Sequence, residues 1–170
     1  MKTPLRAALA ALALLTVAPA AAHDYTLGPI VIDHPWARPT IPNRPTAGYF
    51  ELENTGDVAD RLVAARSPAF GRIEFHRTSM KDGVMKMEAQ EAVEIPPGAS
   101  LAFARRGYHV MLFDAVEQLG VGDRFPLELV FENAGAVTVE LIVDRRGPKA
   151  EAGGMDHSGH GGGHDGTKTN

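Results

Sequence analysis

The chain has 170 residues, with 17 Lys and Arg against 21 Asp and Glu, so its formal net charge is −4 at pH 7. This length suits one domain with short appendages, and the acidic balance argues against a nucleic-acid or anionic-lipid partner. Cysteine is absent, which excludes disulfides, cysteine-bound zinc, iron–sulfur clusters and thiolate nucleophiles, and leaves imidazole and thioether as the soft or borderline metal ligands.

The N-terminal segment has the pattern of a secretory signal peptide. Basic residues precede an apolar run over residues 7–17, and the small residues Ala20 and Ala22 follow it. Because the run is shorter than the roughly 20 residues that a spanning helix needs, we predict export, removal of residues 1–22 and no membrane insertion afterwards. The mature chain then begins at His23.

The rest of the sequence has the texture of a β protein. Short runs rich in Val, Ile, Leu and Phe are separated by Gly, Pro, Asn and Asp, and no long helical periodicity is present. The predicted strands span residues 30–32, 46–54, 60–66, 73–80, 84–88, 92–95, 100–103, 110–113, 124–132 and 136–143. Many short, closely spaced strands predict an all-β Greek-key sandwich or barrel over residues 23–146.

Two segments differ in composition from the predicted strands. Residues 34–45 contain four prolines, which favours an ordered loop or a sheet edge over a central strand. From residue 147 onward the chain consists largely of Gly, His, Ser and Asp. Because that composition cannot bury a core, residues 147–170 are predicted to form a disordered tail.

The dipeptide Asp82-Gly83 lies between two predicted strands and marks a hairpin. A two-residue Asp-Gly loop favours a type I′ turn, which pairs residue 80 with residue 85 and residue 78 with residue 87. Successive side chains alternate between the faces of a strand. One face of the hairpin therefore gathers an imidazole, a hydroxyl and three thioethers, from His76, Thr78, Met80, Met85 and Met87.

His109 and Met111 form a second group of metal-ligating side chains, and they share a face if that stretch is extended. With a strand or two between them and the hairpin, the two groups would converge at one end of the sandwich. Cu(I) accepts neutral imidazole and thioether and needs no charged ligand. Methionine on a strand is more often core filler, but the clustering on one face favours a Cu(I) site.

Four of these residues follow the pattern His-x10-Met-x21-His-x-Met, namely His76, Met87, His109 and Met111. Further matching segments are Trp36-Ala37-Arg38, Gly48-Tyr49-Phe50, Asp60-Arg61-Leu62, Ile95-Pro96-Pro97-Gly98 and Gly107-Tyr108. The chain thereby resembles the periplasmic PCuAC copper chaperones over residues 30–143. The resemblance implies a cupredoxin-like Greek-key β-sandwich, a periplasmic location and Cu(I) held near the surface by those four residues.

The resemblance also implies a role as a carrier rather than an enzyme. Family members move copper in the periplasm and help to load the copper centres of cytochrome c oxidase. The expected partner is therefore the copper-site subunit of that oxidase or another copper chaperone. Met80 and Met85 lie outside the four-residue pattern and are interpreted as packing residues or occasional ligands. A protein that sequesters copper for tolerance is the alternative function.

Two further groups carry metal-binding chemistry. The tail contains Met155, His157, His160 and His164, and short His-rich tracts bind metals, so we predict a second, Cu(II)-preferring site there; a solvated tail is the alternative. Signal removal would also expose the amine of His23, which can chelate Cu(II) together with its imidazole. A copper oxidoreductase that uses His23 is the less favoured alternative.

Overall fold

The computed structural model describes residues 24–147. The predicted signal segment, His23 and the tail from residue 148 lie outside the described residues. Within residues 24–147 the regular elements are all strands, which confirms the all-β prediction. No helix in this described range has the length and apolar character to cross a bilayer. The strands are β1 (Tyr25–Leu27), β2 (Ile30–Ala37), β3 (Thr46–Asn54), β4 (Asp60–Arg66), β5 (Phe70–Lys81), β6 (Val84–Gln90), β7 (Val93–Ile95), β8 (Ser100–Phe103), β9 (Tyr108–Ala115), β10 (Arg124–Phe131) and β11 (Gly135–Val143).

One hydrogen-bonded path joins the strands in the order β6-β5-β9-β8-β3-β2-β11-β10-β4-β7, with β1 on β2 and a direct pairing of β9 with β3. The path curls into two layers, since Phe70 of β5 packs edge-on against Phe125 of β10 with ring centroids 5.1 Å apart. Strands β3 and β11 come so close at Gly48 that a Cβ atom there would lie 3.1 Å from Cδ2 of Leu141.

Alternation of apolar and polar residues along the strands builds the core between these layers. Along β10, Phe125, Leu127, Leu129 and Phe131 are buried while the intervening residues are more exposed. Burying one such side chain contributes roughly 1.5–3 kcal/mol. Because the chain has no cysteine, this core stabilises the fold without disulfides.

A buried amide fixes the turn that follows β3. Asn54 is fully buried, and its Nδ2 donates to the carbonyl oxygens of Val58 at 2.8 Å and Ile95 at 3.1 Å. Its Oδ1 accepts the backbone N–H of Gly56 at 3.0 Å. One side chain therefore links the end of β3 to β7.

The predicted bounds of the third, fourth and eighth strands, 46–54, 60–66 and 100–103, match the structure. The three-residue β1 is too short for a sequence pattern and was missed. The loop prediction for residues 34–45 is wrong at its start, because β2 continues to Ala37 and pairs there with both β3 and β11. A bulge between Asp33 and Trp36, with His34 at φ 51°, allows the strand to include Pro35 despite its missing N–H.

Candidate metal centre

The hairpin of β5 and β6 has the predicted register. Met80 pairs with Met85, Thr78 with Met87, and His76 with Ala89. Asp82 and Gly83 have φ values of 53° and 76°, as a type I′ turn requires. The five side chains expected on one face of the hairpin therefore lie on one face, and that face points away from the core.

Strand β9 pairs directly with β5, so the expectation of a strand between the two groups of ligands is wrong. His109 lies opposite His76, and Met111 lies opposite Glu74. The two imidazole rings are 5.9 Å apart between centroids and tilted by 51°. Direct pairing places the second group beside the middle of β5, on the outer face of the sheet rather than at one end of the sandwich.

The predicted ligands on this outer face differ widely in exposure. His109 is 3% exposed, the His76 side chain is 15% exposed, and Met87 is 56% exposed. The predicted ligands therefore differ in exposure, with Met87 open to solvent and His109 covered. His109 is covered because β9 is an interior strand with β5 on one side and β3 on the other.

A carboxylate beside His76 selects one form of its ring. Nε2 of His76 lies 2.9 Å from Oε2 of Glu74. The pKa of the Glu74 carboxyl is lowered by that hydrogen bond and also by the guanidinium of Arg72. Arg72 contacts Glu74, and its guanidinium carbon Cζ lies 3.8 Å from the centroid of the Phe113 ring. The carboxylate accepts the Nε2 proton, which leaves the lone pair of neutral His76 on Nδ1.

His109 is held in the opposite form. Its Nδ1 donates to the carbonyl oxygen of Gly107 at 3.2 Å, so the lone pair of the neutral ring lies on Nε2. Burial lowers the pKa of His109, the hydrogen bond to Gly107 acts in the other direction, and the neighbouring His76 lowers it further. His109 is thus kept neutral, which is the form that binds metal.

Two buried polar atoms beside this pair have no hydrogen-bond partner, Nδ1 of His76 and Oγ1 of Thr78. Buried polar groups are rarely left unpaired, and such an atom needs an explanation. A metal ion bound at Nδ1 of His76 supplies one. Within residues 24–147, no three His, Cys, Asp or Glu side chains are grouped to hold a metal, so a site here needs the thioethers, and that donor set suits Cu(I).

Three of the four predicted ligands line one open groove of about 590 Å³, namely Met87, His109 and Met111. His76 lies outside the lining of this groove and adjoins it through His109. Four arginines, which we call the arginine rim, also line the groove: Arg38, Arg44, Arg105 and Arg145. None of the four forms an ion pair with a carboxylate in the described part of the chain.

Sequence reasoning missed several of these residues. Glu74 shares a strand face with His76 at a spacing of two residues, so alternation was sufficient to find it. The arginine rim comes from separate parts of the chain, and no local pattern indicates it. Met80 and Met85 lie farther along the hairpin face, toward the turn. His23 and the tail group Met155, His157, His160 and His164 lie outside the described residues.

Comparison with known families and structures identifies the domain. The family described as "Putative lipoprotein LpqE-like" matches residues 30–143. The copper-bound PCuAC domain from PmoF2 is 32% identical with a TM-score of 0.62, over 72% of this chain and 97% of that domain. The chain belongs to the LpqE-like, PCuAC family. The Cu(I) form of DR1885 from Deinococcus radiodurans is 26% identical with a TM-score of 0.57, over 66% of this chain and 76% of that one. The cupredoxin-like fold expected of a PCuAC domain is confirmed.

Two curated proteins are also similar to this PCuAC chain. The "Uncharacterized protein RP573" of Rickettsia prowazekii (strain Madrid E) is 33% identical over 119 residues, or 67% of this chain. The "Putative lipoprotein Lxx21020" of Leifsonia xyli subsp. xyli is 31% identical over 99 residues, or 58% of this chain. The chain spans 66% and 60% of the lengths of these two relatives.

Proposed function

We propose that this protein is a Cu(I) carrier of the cell envelope, which binds the ion through His76, Met87, His109 and Met111. The observation that carries the proposal is the opposed pair of histidines. Each ring has one nitrogen in a hydrogen bond, the other nitrogen of His76 is buried without a partner, and Met111 lies on the same face. Related PCuAC domains with bound copper support the assignment of the metal.

The graded exposure of the donors suits a carrier that exchanges its cargo. A mostly buried imidazole pair holds the ion, while the exposed thioether of Met87 can be displaced by an incoming ligand. The donors are neutral, so uptake and release of Cu(I) need no change in their charge. Blue-copper electron transfer needs a thiolate ligand, which this cysteine-free sequence cannot supply.

A Cu(I) competition titration tests the proposed ligands. Met111→Leu keeps the side-chain volume and removes the sulfur, and His76→Gln removes the imidazole. We expect each to weaken Cu(I) binding at least tenfold, about 1.4 kcal/mol. The control is His34→Gln, which alters an exposed histidine at the β2 bulge and leaves affinity unchanged. Wild-type affinity in a protein with both Met111→Leu and His76→Gln would exclude this site.

The proposed destination of the copper is the copper-site subunit of cytochrome c oxidase, or another copper chaperone, in the periplasm. The predicted signal peptide and the lipoprotein names of relatives support export to the cell envelope. Copper transfer from the loaded protein to an apo oxidase fragment tests this destination. A loaded protein that gives up no copper to such acceptors is instead a sequestering protein for copper tolerance.

We also propose a Cu(II) site in the tail at His157, His160 and His164, with Met155 close by in the sequence. The last described residue, Gly147, follows Arg145 of the groove by two positions in the sequence. A protein that ends after Pro148 should lose one equivalent of Cu(II) and keep its Cu(I) stoichiometry. If Cu(II) binding survives this truncation, the amine and imidazole of His23 are the better candidate.

A further inference from the structure

The turn end of the β5–β6 hairpin extends past the rest of the sheet. The pairing of β5 with β9 ends at Arg77 and Tyr108, and one more backbone hydrogen bond joins Thr78 to Gly107 at 3.0 Å. β6 is an edge strand. Beyond Thr78, the two strands therefore pair only with each other in the described part of the chain.

This projecting end has two different faces. Met80 and Met85 share one face and are 69% and 62% exposed. The opposite face carries the polar residues Ser79, Lys81 and Lys86 together with Val84. Met80 and Met85 cannot be core filler, since no layer covers them. Apolar side chains grouped at the surface in this way are typical of a binding site.

The register brings the two thioethers together. Lys81 and Val84 flank the two-residue turn and form its hydrogen-bonded pair, so Met80 and Met85 form the next, non-hydrogen-bonded pair. Cα atoms in such a pair are about 4.5 Å apart, and their side chains approach closely. Methionine is unbranched and flexible, so both sulfur atoms can reach one soft ion.

The thioether pair is in line with the main site. The next pair on this face is Thr78 with Met87, two residues from the Met80–Met85 pair. Two residues span about 6.8 Å at the usual strand rise. A further two residues along lies His76, opposite His109. Met87 thus stands between the exposed pair and the imidazoles, where it can bind an ion that comes from either side.

We propose that Met80 and Met85 form a second, weaker Cu(I) site that receives the ion and passes it through Met87 to the imidazole pair. The proposal rests on the function proposed above. The transfer is a ligand exchange between neutral donors: one Cu–S bond breaks as another forms, the ion stays Cu(I), and no proton or electron moves. Two donors bind more weakly than four, so the ion moves on to the main site.

Ag(I), a soft ion that does not change oxidation state here, is the probe, added to the full-length protein. The methyl NMR signal of each methionine is assigned from single Met→Leu variants. Up to one equivalent of Ag(I), Met87 and Met111 should shift, and with excess Ag(I) Met80 and Met85 should shift as well. Unchanged Met80 and Met85 signals at several equivalents of Ag(I) would overturn the proposal, whether or not the Met111 signal shifts.

The kinetic arm uses a variant that carries Met80→Leu and Met85→Leu. We expect its Cu(I) affinity at the main site to stay within twofold of wild type, while the rate of uptake from a chelator falls at least threefold. Val84→Leu is the matched control, because Val84 is exposed, adjoins the same turn and lies on the other face. Equal uptake rates in the wild type and the double variant would also overturn the proposal.

A variant with His76→Gln and Met111→Leu separates this proposal from the main one. If the main site is misassigned, this variant binds Cu(I) as wild type does. If the exposed pair binds metal, the Met80 and Met85 signals still shift with Ag(I) in this variant. Retained shifts show that the exposed pair binds metal whether or not the main site is correctly assigned, and lost shifts contradict the proposal.

Discussion

At the scale of single residues, each of the two histidines is oriented by a different hydrogen-bond partner. His76 is oriented by a carboxylate that accepts its Nε2 proton. His109 is buried, and its Nδ1 proton goes to the carbonyl oxygen of Gly107. Partners of this kind fix the tautomer and orientation of a ligating ring. The groups next to the ligands therefore prepare the site before a metal arrives.

Burial of His109 predicts a pH dependence of the apo protein. Its pKa is lowered in the folded state, so the unfolded chain, with a His pKa of about 6.5, binds more protons below that pH. The stability that neutral His109 contributes is fully present above about pH 6.5. It is lost as the pH falls toward the lowered pKa, and the free energy of unfolding then changes by less than about 1.4 kcal/mol per pH unit. Urea unfolding at pH 7.5 and 5.5 measures this loss.

His109→Gln is the control for that measurement, because glutamine does not titrate. The variant should lose less stability than the wild type over the same pH interval, while every other titrating group remains in both proteins. An equal loss in the two proteins would show that His109 does not contribute to the pH dependence.

Glu74 is predicted to support copper binding without touching the ion. Glu74→Ala removes the acceptor for Nε2 of His76, and loss of such a partner typically weakens metal binding about 10–100-fold. Glu74→Gln keeps an acceptor oxygen and should lose less affinity. Cu(I) competition titrations of both variants test this order. Equal affinities for Glu74→Ala and the wild type would exclude the supporting role.

At the scale of the elements, β5 contributes to two structures at once. Its first half pairs with β9 over the core, and its second half continues into the exposed hairpin with β6. The proposed metal site lies where these halves meet, so one continuous strand links the sheet to the exposed thioethers. The turn contact made by Asn54 at the other end of the fold serves stability alone.

Asn54→Ala separates stability from copper binding. The substitution leaves the carbonyls of Val58 and Ile95 and the N–H of Gly56 without their partner. The bond to Ile95 is buried while the other two lie nearer solvent, and a buried group left unpaired costs about 1–3 kcal/mol. Unfolding by urea should therefore show a loss of at least about 1 kcal/mol. Cu(I) affinity of the folded variant should equal that of the wild type, and a change in affinity would show unexpected coupling between the turn and the site.

At the scale of the whole molecule, charge is unevenly distributed. The chain is acidic overall, yet the groove that contains Met87, His109 and Met111 is bordered by the arginine rim. Since the proposed donors are neutral and the ion is a cation, the rim opposes binding instead of assisting it. A weaker hold on the ion is compatible with a carrier that must release it.

Neutralising part of the rim should therefore strengthen Cu(I) binding. Two unit charges about 10 Å apart in water repel by about 0.4 kcal/mol, so Arg44→Gln with Arg105→Gln should raise affinity about two- to fourfold at low salt. The gain should vanish near 1 M salt, where the screening length is about 3 Å. Competition titrations at both salt concentrations measure it.

The matched control makes the same change of net charge on strands β4 and β10, outside the lining of the groove. Arg66 and Arg124 form ion pairs with Glu128 and Glu140, and their replacement by Gln should leave Cu(I) affinity unchanged. An equal gain in both double variants would mean that net charge, and not the rim, sets the effect.

The sequence by itself determined the strands and the hairpin face. Alternation of apolar residues gave the bounds of β3, β4 and β8, and Asp82-Gly83 set the register that puts Met80 opposite Met85 and Thr78 opposite Met87. These features are local, because a two-residue turn and the two-residue period of a strand depend only on neighbours in the chain.

Only the tertiary structure decided which strands meet. In the folded chain β9 pairs directly with β5, so His76 lies opposite His109. A bulge allows β2 to continue past Pro35. The tertiary structure also gathered the arginine rim from positions 38, 44, 105 and 145. These pairings depend on how the layers bury their apolar faces together, and that burial is a property of the whole chain which no local pattern encodes.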